Sequence, residues 1–326
     1  MDEQQLLQRL AGIERALEYQ RYINDTLLKA VDDVLWYQKV GDIAHVDKVK
    51  LAGPPPRYQK NPTAQGAGNP FLFWAYAMVP KNLDRSRPQP LLVYIHGGVH
   101  ANFDTGGANK IRELLEQGYS IVSPEYRGST GYGRGYHDAI DYGGLECEDT
   151  YTAAKWMLET HDFLDPKRVG ILGWSHGGLH TLMNIFDHPD LYTCAFAGVP
   201  ASDLVARMGY KSPDYQAIFS AESHIGKSAV DDVNEYRRRS PAWNAHKLQT
   251  PLLIHTNTTD EDVNVLEVEH LIKSLKAEGK RFDYRIFQAE PGGHQFDRID
   301  TARSREIRLE IWRWLAKHLS PDHPVE

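Results

Sequence analysis

The pentapeptide Gly173-Trp174-Ser175-His176-Gly177 constrains this 326-residue chain more than any other stretch. It ends an apolar run, Val169-Gly170-Ile171-Leu172, and is followed by Gly178 and a helix-compatible segment. The reading is strand, sharp turn, helix. A G-x-S-x-G turn lifts its serine hydroxyl above the end of a sheet, and its glycines let strand and helix approach each other. The same turn aims the His176 N–H at the place where a carbonyl oxygen would become an oxyanion, beside the positive end of the helix. Ser175 is therefore the candidate nucleophile and His176 a candidate oxyanion donor.

The rest of the chain suits such a turn. Apolar segments at 71–79, 91–95, 119–123, 195–199, 250–255 and 282–287 read as strands, with helices at about 107–117, 148–159, 176–187, 265–278 and 301–319. That alternation predicts an α/β fold with a mostly parallel twisted sheet and helices on both faces. His96-Gly97-Gly98 follows an early strand, where a second oxyanion N–H belongs. Residues 202–247 break the alternation and are expected to form a lid or pocket wall above the strand ends. His96, Tyr126, Trp174, Tyr210 and Phe219 are the candidate substrate-pocket residues. Glycines 128, 131, 133 and 135 lack dinucleotide-fingerprint spacing, so no nucleotide cofactor is expected.

Asp260 and His294 complete the chemistry, each just beyond an expected strand. The order Ser175, acid, His294 is that of the α/β-hydrolase fold. A serine hydroxyl is a poor nucleophile at neutral pH, so an imidazole has to take its proton and a carboxylate has to hold that imidazole in the right tautomer. By position alone, Glu261 and Asp262 compete with Asp260 for the acid role. His176 and His180 stand four apart on an expected helix, but no third ligand is evident, and no metal is expected.

Several stretches together resemble the catalytic domain of the prolyl oligopeptidase family of serine hydrolases. They are Tyr126-Arg-Gly-Ser-Thr-Gly-Tyr-Gly133, Gly173-Trp-Ser-His-Gly-Gly178, Ser240-Pro241-Ala242-Trp243, Pro251-Leu-Leu-Ile-His255, Asp260-Glu-Asp-Val263 and Gly293-His294. The resemblance runs from about residue 70 to the end. It implies that Asp260, three residues before Val263, is the acid. Two departures stand out. The family's peptidases carry a large β-propeller where this chain has a mostly helical N-terminal segment. They also often use a tyrosine hydroxyl as oxyanion donor where this chain has His96-Gly97-Gly98, which favours a backbone N–H of Gly97 or Gly98.

The expected division is a helical extension over 1–52 and a catalytic domain over 53–326, joined by an irregular Pro-, Gly- and Asn-rich linker from Gly53 to Pro70. In the extension Leu6, Leu10, Ile13 and Leu17 recur at steps of four and three, and the phase continues through Gln20, Asn24, Leu27, Val31 and Val34. This heptad-like seam fits either a homo-oligomer paired through the helix or an amphipathic helix packed on its own domain. A net charge of −7 without a basic stripe excludes nucleic acid as the expected partner. Two cysteines, no signal-like start and no long apolar run lead to the expectation of a cytoplasmic protein without membrane attachment. The expected activity is hydrolysis of a small ester by an acyl-enzyme route, with an exopeptidase or amidase acting on short peptides second, and an inactive binding module third.

Overall fold

The computed structural model describes residues 3–57 and 69–325. The interior of the expected linker, 58–68, lies outside them. An eight-stranded sheet organises the chain, in the order β1-β2-β4-β3-β5-β6-β7-β8. Its strands are β1 (Ala44–Gly53), β2 (Phe71–Pro80), β3 (Gln89–Ile95), β4 (Ser120–Glu125), β5 (Leu164–Trp174), β6 (Cys194–Gly198), β7 (Leu252–Asn257) and β8 (Asp283–Phe287). β2 is antiparallel to both its neighbours, and every later pairing is parallel. This is the α/β-hydrolase arrangement that the elbow implied.

Period-two alternation along the central strands divides the core. Leu91, Val93 and Ile95 of β3 point into one apolar layer and Leu92 and Tyr94 into the other. The first layer is closed by α4 (Leu145–Thr160), α5 (His176–Asp187) and α9 (Val265–Ala277), which supply Ala153, Leu182 and Leu271. The second is closed by α1 (Glu3–Val40), α2 (Ala108–Leu115) and α10 (Ala302–Leu319), which supply Trp36, Ile111 and Trp312. Between them the chain adds one helical turn, α3 (Arg134–His137), and three short helices within 202–247: α6 (Leu204–Tyr210), α7 (Pro213–Ser220) and α8 (Val233–Arg238).

Two expectations about the N-terminal region need correction. Residues 44–53 are not part of a helical extension: they form the outer strand, paired with β2 along its whole length. Nor is α1 simply appended to the body. Its C-terminal half is built in, with Trp36 stacked on Phe103 at 4.5 Å and the buried Lys29 ammonium 3.0 Å from the buried carboxylate of Glu125. Asp32 accepts hydrogen bonds from both the N–H and the hydroxyl of Thr105. α1 thus holds the loop that follows His96-Gly97-Gly98.

Candidate active site

Ser175 sits between β5 and α5 with φ 59° and ψ −120°. A non-glycine residue adopts that conformation only when its surroundings force it. Its neighbours Gly173 and Gly177 are packed too closely for any side chain. A side chain on Gly173 would meet the Gly177 carbonyl at 2.4 Å, and one on Gly177 would meet the Ile95 carbonyl at 2.5 Å. The Ser175 N–H donates to the Gly198 carbonyl at 2.9 Å, which fixes the turn to the neighbouring strand. His176 begins α5, so its N–H has no intrahelical acceptor.

The loop after β3 lies against this turn. A Cβ on Gly97 would stand 3.0 Å from the Trp174 carbonyl and 3.6 Å from Ser175 Cβ, and Gly98 has φ 74°. His96 and Tyr126 brace it. Their rings stack at 4.2 Å, and the Tyr126 hydroxyl donates to the Gly98 carbonyl at 2.7 Å. Burial pushes the His96 pKa down to about 3, so its imidazole is neutral at neutral pH.

His294 is carried on a short 3₁₀ turn after Gly292, whose φ of 106° suits glycine alone. Its Nδ1 is 2.7 Å from Asp260 Oδ2. The other Asp260 oxygen accepts the N–H groups of Asp262 and Val263 at 2.9 and 2.8 Å. The three competing acids therefore have different places. Glu261 accepts the His294 backbone N–H at 3.0 Å, and Asp262 stands 3.7 Å from Nε2, on the other side of the ring. Ser175 and His294 line one cavity of about 440 Å³, together with Gly97 and Gly98.

Of the expected pocket residues, His96 and Trp174 line this cavity and Tyr126, Tyr210 and Phe219 do not. Tyr126 is completely buried under the glycine loop. Phe219 is buried against Tyr142 and Tyr215. Tyr210 turns its hydroxyl to the Glu267 carboxylate. What the sequence reading missed on the cavity wall is charged: Asp104, Lys110 and Arg298, beside Asp262, which it weighed only as the acid. It also missed a third polar group beside His176 and His180. Glu146 brings its carboxylate within 4.8 Å of both imidazoles. His176 Nε2 lies 3.1 Å from His180 Nε2 and 3.7 Å from Glu146 Oε1, and His180 Nδ1 is 3.1 Å from the Thr150 hydroxyl. Burial pushes both histidines well below their usual range and, with the nearby Asp141 carboxylate, raises Glu146 to about 8. The trio is a buried, largely uncharged polar chain beneath the elbow.

A strained serine on an elbow and a histidine held by a buried carboxylate, lining one cavity with Gly97 and Gly98 at the edge of this sheet, are the arrangement of the α/β-hydrolase class. The chain belongs to the prolyl oligopeptidase family, whose model matches residues 108–322. It is 28% identical over 247 residues to the uncharacterized peptidase YuxL of Bacillus subtilis, covering 75% of this chain and 37% of the relative. It is 27% identical over 256 residues to the acylamino-acid-releasing enzyme of Arabidopsis thaliana, covering 76% and 33% respectively. The chain thus spans roughly a third of the length of these relatives. The acylaminoacyl peptidase of Pyrococcus horikoshii matches in fold, with TM-score 0.70 and 19% identity over 87% of this chain and 43% of that one.

Proposed function

We propose that the chain is a serine peptidase of short peptides or acylated amino acids, with Ser175 as nucleophile, His294 as general base and Asp260 as its orienting acid. The observation that carries this is the pair of groups facing one cavity: the forced Ser175 turn and the His294 imidazole fixed through Nδ1 by Asp260. The Ser175 oxygen attacks the scissile carbonyl as its proton passes to His294 Nε2, and the oxyanion accepts from the His176 N–H and a Gly97 or Gly98 N–H. The imidazolium then protonates the departing amine, leaving an acyl-serine. His294 next takes a proton from water, whose oxygen attacks the acyl carbon, and returns that proton to the Ser175 oxygen as the acyl bond breaks, freeing the acid and the neutral enzyme.

The expectation of an ester substrate gives way here to the amide. The relatives' names favour it: a peptidase and an acylamino-acid-releasing enzyme. Two buried free cysteines, Cys147 and Cys194, support a reducing, cytoplasmic setting, and among the described residues no helix is long and apolar enough to cross a membrane. A fluorophosphonate probe should label wild type and not Ser175→Ala. An N-acylaminoacyl p-nitroanilide should be turned over alongside p-nitrophenyl acetate. Labelling with ester turnover and no measurable amide turnover would return the esterase reading, and no labelling at all would favour the inactive binding module.

The N-terminal helix suggests a paired assembly. Lys29 and Trp36, the residues with which α1 enters the body, stand two positions beyond Leu27 and Val34, about 200° around the helix. The apolar seam therefore faces away from the body: Leu6, Leu10, Ile13, Leu17, Leu27, Val31 and Val34 are 46–65% exposed. Those side chains present on the order of 700 Å², close to one partner's share of a standard interface. An antiparallel second copy centred on Tyr22 sets Leu10 against Val34, Ile13 against Val31, Leu17 against Leu27 and Gln20 against Asn24, so within the seam apolar layers meet apolar ones and polar meet polar, with Leu6 against Gln38 only at the ends. Light scattering should give a dimer for wild type and a monomer for Ile13→Glu with Leu17→Glu, which leaves the buried half of α1 intact. A monomeric wild type would end the proposal.

A further inference from the structure

Lys110 is 8% exposed and belongs to the wall of the cavity that holds Ser175 and His294. A lysine side chain buried to this extent is ordinarily paired, and the charges around it are spoken for. Arg308 is bidentate to Glu113, at 3.0 and 2.7 Å. Arg298 has the Asp297 carboxylate 3.6 Å from its Nε and donates to the His294 carbonyl. Asp262 is held by Lys211 at 2.8 Å, and Asp104 accepts the Gly106 N–H at 2.8 Å. Among the described residues no hydrogen-bond or ion-pair partner of the Lys110 ammonium is found. Burial first, then the Arg298 and Arg308 guanidiniums, push its pKa down to about 8, against a smaller opposing pull from the Asp297 and Glu113 carboxylates. It remains mostly charged at neutral pH, at a cost that an anion beside it would offset.

A second feature points to the same place. Lys110 stands in the first turn of α2, which runs on directly from a 3₁₀ turn over Thr105–Gly107 whose own start is capped by the Asp104 carboxylate. The space where a Gly107 side chain would project is 3.7 Å from the Lys110 ammonium, and Gly106 and Gly107 line the cavity beside it. The other cation on the wall, Arg298, is also buried.

We infer that Lys110, with Arg298 and the space left open by Gly106 and Gly107, forms an anion subsite of the catalytic cavity, and that its ligand is the free C-terminal carboxylate of a short peptide or N-acylated dipeptide. The inference deepens the peptidase reading and rests on it. A cavity of about 440 Å³ confines the carboxylate to the neighbourhood of the scissile bond, so cleavage releases a residue at or near the C-terminus. Lys110 is a specificity residue and takes no part in proton transfer.

The test is a ratio. Hydrolysis of N-acetyl-Ala-Ala, of its C-terminal amide, and of N-acetyl-Ala-Glu-amide is followed chromatographically with the full chain. Wild type should favour the free acid over the simple amide in kcat/KM by about 10- to 100-fold, the effect of one charge-assisted hydrogen bond in a partly desolvated site. Lys110→Met, of similar length and apolar, should bring the ratio to about one, and Lys110→Arg should restore part of it. A wild-type ratio near one, a ratio unmoved in Lys110→Met, or a preference shown only by the glutamyl amide would each overturn the inference. Fluorophosphonate labelling of the same preparations separates the two readings. An unlabelled wild type removes the serine hydrolase, whereas a labelled protein indifferent to the carboxylate removes only the subsite.

Discussion

Asp260→Asn is expected to lower kcat about 10⁴-fold, the scale on which losing the orienting carboxylate costs a serine-histidine pair. The structure says how. Asp260 Oδ1 accepts two backbone N–H groups, so an asparagine keeps its carbonyl there and turns its NH₂ toward His294 Nδ1. Nδ1 then accepts, the proton moves to Nε2, and the imidazole no longer has a lone pair for the Ser175 proton. Glu261→Gln and Asp262→Asn do not touch that bond. Asp262 is half exposed and 3.7 Å from Nε2, and its loss should cost about tenfold or less. Steady-state turnover of one chromogenic substrate by the three variants decides the matter. Equal losses for Asp260→Asn and Asp262→Asn would show that the acid had been assigned to the wrong residue.

That arbitration marks the boundary of what the amino-acid sequence could tell. The elbow was legible because few residues tolerate its backbone: the glycines at 173 and 177 are places where any side chain meets a carbonyl. The position of Asp260 was not legible from spacing, since three consecutive candidates differ only in which atom of His294 they face; there the family resemblance supplied the choice. Strand β1 escaped notice because its apolar alternation slips at Lys48-Val49, and its burial pattern slips with it. The wrong pocket aromatics have a similar cause. Tyr126 and Phe219 are large and apolar enough to line a site, yet contacts with residues far along the chain, His96 for one and Tyr142 for the other, bury them.

The apolar pattern of α1 leaves open whether its seam packs on its own domain or on a second copy. Helices ordinarily bury their apolar stripe, whereas this one buries Lys29 against Glu125 and leaves the leucine seam outside. Nothing local reveals that inversion, because Glu125 lies 96 residues further along the chain (125 − 29). Lys110 was hidden for the same reason. On a helix of alternating polarity it reads as a solvated cation, and only the packing of α2 against α1 and β2 sets it in the cavity wall shared with Ser175.

Acidification should destabilise the protein while most carboxylates are still ionised, and the buried histidines are the cause. His255 is 2% exposed, edge-on to Phe196 and Phe287, with Nδ1 unpartnered among the described residues. Burial pushes its pKa down to about 3, as it does that of His96, and holds His176 and His180 well below their usual range. Unfolded, each would titrate near 6.5. Between that value and the folded pKa the unfolded chain binds the extra proton, so stability is full above about pH 6.5 and falls as the pH drops. At pH 5 His96 and His255 each lose about 2 kcal/mol in this way, and His176 and His180 act in the same direction. Glu146, raised to about 8, opposes them, because its folded form prefers the proton; it returns about 2 kcal/mol between pH 7 and 5. Glu125, Asp149, Glu267 and Asp297, raised mainly by burial, oppose them near the lower end of the range. The histidines outweigh Glu146 down to pH 5, and Tm by circular dichroism should fall by about 5 °C or more from pH 7 to pH 5. In His255→Asn, whatever its starting stability, the fall should be smaller, since one protonation has been removed. A Tm unchanged across that interval would mean that these imidazoles reach water and titrate normally, and a neutral polar chain beneath the Ser175 turn would no longer hold.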